Sequence, residues 1–151
     1  MLATVVLLLH FAAPKDAALA PQMQAELDTL FANSTVQAQL LIDSNAGSLG
    51  TPSHVVFVDV NHACMPTLVS TAGSMAHTQR VDGIIHPLVE VDCAKVATYI
   101  RSKPDLPRAL ARILAHELLH YLWQQPGHAH DGLFSESLSR LDLTDTTLRI
   151  H

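Results

Sequence analysis

A histidine at 116, a glutamate at 117 and a second histidine at 120 stand in the run His-Glu-Leu-Leu-His. On a helix, residues four apart sit one above the other, offset by about 40°, so two imidazoles at that spacing can reach one point. A glutamate one residue after the first lies about 100° round, beside that point, where it can touch a water. Two nitrogen ligands, an adjacent carboxylate base and an open coordination position are the demands of zinc-assisted hydrolysis. Ten His and four Glu in 151 residues would produce the pattern by chance about 0.02 times. Histidines 116 and 120 are therefore read as zinc ligands and Glu117 as the base. The bland alternative is a pair of core histidines bonded to backbone, with Glu117 facing solvent.

A catalytic zinc usually takes three protein ligands. His128 is the first choice for the third, because Pro126 stops a helix and Gly127 can adopt positive φ, letting the chain turn back. His130 is the competitor two residues on, with Asp131 and Glu136 behind it. His10, His54, His62, His77, His86 and His151 have no ligand spacing to these residues and read as ordinary side chains. The pair His62 and Cys64 is an isolated HxC, a weak metal signal.

These side chains need a helix to hold them. The spacing predicts one from about residue 105 to 124, apolar nearly all round through Leu110, Ile113, Leu114, Leu118, Leu119, Leu122 and Trp123, and broken by Pro126-Gly127. Such a helix belongs in a core, where bare imidazoles and a carboxylate cost several kcal/mol unless something satisfies them. Ahead of it, residues 4–11 read as a Val- and Leu-rich buried strand rather than a signal-peptide core, because no positive charge precedes the apolar run. A helix follows at 20–32 with Pro21 in its first turn, then strands at 36–42 and 55–60. Weaker strands are expected at 68–77 and 84–91 around the turn Val81-Asp82-Gly83. Asp92 caps a helix at 93–101, and a short last helix is expected at 144–149. The order predicts a single α+β domain over residues 1–151.

Composition narrows the function classes. The chain is 48% hydrophobic and 15% charged, which excludes a disordered polymer. Its net charge of -5 argues against a nucleic-acid partner, and no apolar run is long enough to span a bilayer. Cys64 and Cys93 can form one bridge in an oxidising compartment or remain two buried thiols in a cytoplasm.

With HELLH at 116–120, a downstream His128 and then Gly132-Leu133-Phe134, the chain resembles zincin-type metallopeptidases, most closely small bacterial metzincin-like (matrixin-like) domains. The resemblance is specific over the last forty or so residues. It departs from the metzincin pattern HExxHxxGxxH at two positions: Trp123 stands at the Gly and Pro126 at the third His. Phe134 also stands where the Met of the turn beneath the metal would be. The resemblance implies a twisted mixed β-sheet over a long active-site helix, a Zn2+ cofactor, and a peptide or protein substrate added antiparallel to an edge strand. Residues 68–74 are the expected edge. It also implies peptide-bond hydrolysis by zinc-activated water with Glu117 as general base, and export to a periplasm or medium.

Two other classes compete. A small zinc-dependent endoribonuclease has a similar length, but Glu117 and the net charge of -5 count against it. A non-catalytic domain would use the metal or hydrogen bonds only to hold its core.

Overall fold

The computed structural model describes residues 3–48, 50–68, 73–125 and 140–145. Five strands form one sheet: β1 (Ala3–Phe11), β2 (Val36–Ile42), β3 (His54–Asn61), β4 (Ala76–Val81) and β5 (Ile84–Asp92). Their spatial order is β2-β1-β3-β5-β4. Pairs β1–β2, β1–β3 and β3–β5 are parallel, and only β4 runs antiparallel, against β5. Near-continuous runs such as ATVVLLLHF suit interior strands of a parallel sheet, and β1 accordingly lies between two neighbours with Val5, Val6, Leu7 and Leu9 buried. The β4–β5 hairpin turns through Asp82 (φ 52°) and Gly83 (φ 78°), the Asp-Gly pair that a tight hairpin turn with two positive φ angles favours.

Helix α1 (Ala20–Leu30) connects the parallel strands β1 and β2 and buries Met23, Leu27 and Leu30. Helix α2 (Cys93–Ile100) starts on Asp92, whose Oδ1 accepts the Lys95 N–H at 3.0 Å, the N-cap that the sequence predicts. Helix α3 (Leu106–Trp123) packs against α1, α2, β4 and β5 and is buried without interruption from Ala109 to His120. A short α4 (Arg140–Thr144) places Leu143 in the core.

One charged group is buried in that core away from the histidines. Arg112, 1% exposed, donates from Nε to Glu26 Oε2 on α1 at 2.9 Å and from Nη1 to the Asp142 carbonyl of α4 at 2.8 Å. Arg108, one turn earlier, donates to the Thr144 carbonyl at 3.2 Å. A single carboxylate and two arginines thus fasten three helices together.

Several expectations change. The strand placed at 68–77 is instead Ala76–Val81, because the turn that organises it is Asp82-Gly83, and pairing with β5 runs back from there; residues 69–72 lie outside the described residues. A short helix that the sequence did not predict spans Arg140–Thr144, while of the helix expected at 144–149 residues 146–149 lie outside the described residues. The sheet is mixed as expected but mostly parallel, with a helix crossing between β1 and β2, so strands and helices are interleaved rather than segregated. Trp123 is 46% exposed, so the last turn of α3 leaves the core that its composition suggested.

Candidate metal centre

His116 and His120 lie one turn apart on α3, each 7% exposed, with their Nε2 atoms 3.2 Å apart. Two ligand nitrogens on one tetrahedral zinc, each at about 2.0–2.1 Å, are separated by about 3.3 Å. The His120 Nδ1 is 2.7 Å from the Gln125 carbonyl. A carbonyl can only accept, so Nδ1 carries a proton and donates it there, while Nε2 faces His116. A ring nitrogen fixed in this way by a backbone carbonyl is the usual support of a metal-ligating histidine. The chemistry of the donor pair therefore fits zinc.

Glu117, also 7% exposed, accepts a hydrogen bond at Oε2 from the Thr78 hydroxyl of β4. Helix rotation places the glutamate beside the imidazole pair, and the edge strand reaches down to it. The three residues line a cleft of about 260 Å³ together with Ser74, Ala76, His77, Thr78, Arg80 and Ile85. One wall is thus the sheet-edge strand β4, whose outward backbone groups have no neighbouring strand among the described residues.

The end of α3 explains how His120 obtains its carbonyl. Gln124 adopts left-handed geometry (φ 49°, ψ 39°), and its backbone returns the chain so that the Gln125 N–H bonds the His120 carbonyl at 3.2 Å. The Gln124 side chain then grips β5, donating from Nε2 to the Ile85 carbonyl at 2.9 Å and accepting the Ile85 N–H on Oε1 at 3.0 Å. The helix therefore ends at Trp123 with Gln124 as its cap, within a residue of the end the sequence predicts. Proline at 126 still contributes, since it disfavours helical geometry at the residue before it.

Of the residues that sequence reasoning selects, His116, Glu117 and His120 come together. His128, His130, Asp131 and Glu136 lie outside the described residues. Among the described residues no group of three or more His, Cys, Asp and Glu converges as a metal cage. The HxC at His62 and Cys64 is not a metal site, because Cys64 is bonded to Cys93 (S–S 2.04 Å). Thr78 and Gln124 were missed. Neither has a motif, and both act through strand-to-helix contacts that sequence spacing does not encode.

The fold is a five-stranded mixed sheet with one antiparallel edge strand, lying against a long helix that turns sharply at its end. The structure superposes on archaemetzincin from Methanopyrus kandleri with a TM-score of 0.51, at 15% sequence identity, over 95% of this chain and 86% of that one. No protein-family model and no curated protein matches the sequence.

Proposed function

We propose that this chain is a zinc-dependent metallopeptidase. The observation that carries the reading is the pair of Nε2 atoms 3.2 Å apart on a buried helix face, beside the Glu117 carboxylate and under an open sheet edge. His116 and His120 would hold Zn2+, with His128 as the third ligand and His130 as its competitor; the metal, when bound, supplies Lewis acidity and lowers the pKa of a water toward about 7. Glu117 takes the proton of the attacking water and returns it to the leaving amine. Its Oε2 is held by Thr78, which leaves Oε1 to move the proton. Strand β4 receives an extended peptide by backbone pairing and lays it across the cleft beside Glu117. The matrixin-like character rests on the motif resemblance, and the metzincin-like fold supports it.

Glu117→Gln tests the reading. Metal content, measured by atomic spectroscopy, should stay at one zinc per chain, while cleavage of a mixed peptide library falls at least 100-fold. Purified protein that takes up no zinc, or a Glu117→Gln variant with unchanged cleavage, would overturn it. His128→Ala and His130→Ala, compared for zinc affinity, assign the third ligand.

A further inference from the structure

A larger cavity lies away from the histidines and shares no residue with their cleft. It holds about 550 Å³, within the range of small-molecule sites, and has an apolar floor of Leu19, Met65, Pro66, Ala97 and Leu106. Its wall is fixed before any ligand arrives: Cys64 is tied to Cys93, and its N–H is held by Asp16 Oδ2 at 2.9 Å. Three cations stand around it, Lys15, Arg101 and Lys103. They come from a chain of net charge -5 with only nine Lys and Arg, and none has a carboxylate partner among the described residues. Among the described residues the one acid lining the cavity, Asp16, accepts the Cys64 backbone N–H. Arg101 and Lys103 follow the C-terminus of α2, where cations are favoured, but Lys15 is brought from the 3-10 helix Pro14–Leu19. Arg101 also holds φ 62°, a conformation that usually falls to glycine at a helix end. Leu106, the first residue of α3, brings the positive end of that helix dipole to the same rim.

We propose that this cavity binds a small anionic amphiphile: an apolar chain ending in a carboxylate or phosphate, with the chain on the Leu19–Met65–Ala97 floor and the head group among Lys15, Arg101 and Lys103. Positive charge without partners above a preformed apolar floor is complementary to that ligand and to neither a cation nor a neutral sugar.

Calorimetric titration of the full chain with hexanoate, octanoate and decanoate below their micellar concentrations should give Kd values falling about fourfold per added methylene. Decyl phosphate, run in parallel, identifies the preferred head group, and binding of either one supports the site. The exposed pair Lys15→Glu/Lys103→Glu should weaken decanoate at least tenfold, with an unchanged thermal midpoint showing that the variant is folded. Methyl shifts on Met65, Ala97 and Leu106 locate the ligand. The proposal is overturned if decyltrimethylammonium binds as tightly as decanoate, if the double variant binds undiminished, or if the shifts fall elsewhere.

Discussion

His120 shows how one side chain can be committed by its backbone. Its Nδ1 donates to the Gln125 carbonyl, which fixes the ring with Nε2 facing His116. Glu117 is aimed by a hydroxyl from another element, Thr78. Surface histidines behave differently. His10 pairs with Asp43 at 2.6 Å, and that hydrogen bond, then the Asp43 charge, raises its pKa above 6.5. Because the folded value is the higher one, the pair's contribution is complete below about pH 6.5 and fades as pH rises through the raised pKa. Proton NMR titration should show His10 titrating above the ordinary value and returning toward it in Asp43→Asn. His10 is exposed, so added salt should shrink the shift.

At the scale of elements, α3 is held at both ends by polar groups that the hydrophobic pattern hides. Near its start, Arg112 joins it to Glu26 of α1 and to α4. Removing Arg112 leaves the part-buried Glu26 carboxylate only its longer contact to Arg108 (3.5 Å) and the Asp142 carbonyl without this donor, so Arg112→Met should cost about 2–3 kcal/mol in denaturant unfolding. Arg112→Met/Glu26→Leu should recover most of that loss. At its end, Gln124 bonds both backbone groups of Ile85, a residue 3% exposed. Gln124→Ala leaves those groups unpaired and should destabilise by about 1–3 kcal/mol. It should also loosen the turn that brings the Gln125 carbonyl to His120 Nδ1, so on the proposed reading zinc affinity falls with stability. Equal affinity in the variant would show that the turn survives without its side-chain clamp.

Across the whole molecule, the Cys64–Cys93 bond closes a loop of 29 residues that includes β4, the strand over the cleft. In the chain-entropy picture a loop of this size contributes about 3–4 kcal/mol. Cys64→Ser/Cys93→Ser should lower the chemical-denaturation free energy by about that amount, and reducing agent should then have no further effect. The same bond forms part of the cavity wall with Asp16, so the variant also asks whether that wall is preformed. Much of this arrangement was legible in the chain. The pattern HELLH within an apolar run predicted the helix face that His116, Glu117 and His120 share, and the Val-rich runs located β1, β3 and β5, because periodicity is a local property that sequence carries directly. Asp92 and the Asp82-Gly83 turn were legible for the same reason. What only tertiary structure decided is everything that depends on which elements meet: the parallel order β2-β1-β3-β5-β4, Thr78 against Glu117, Gln124 against Ile85, Arg112 against Glu26, and the pairing of the two cysteines. Those contacts join residues 29 to 86 positions apart, and no local spacing records a partner at that range.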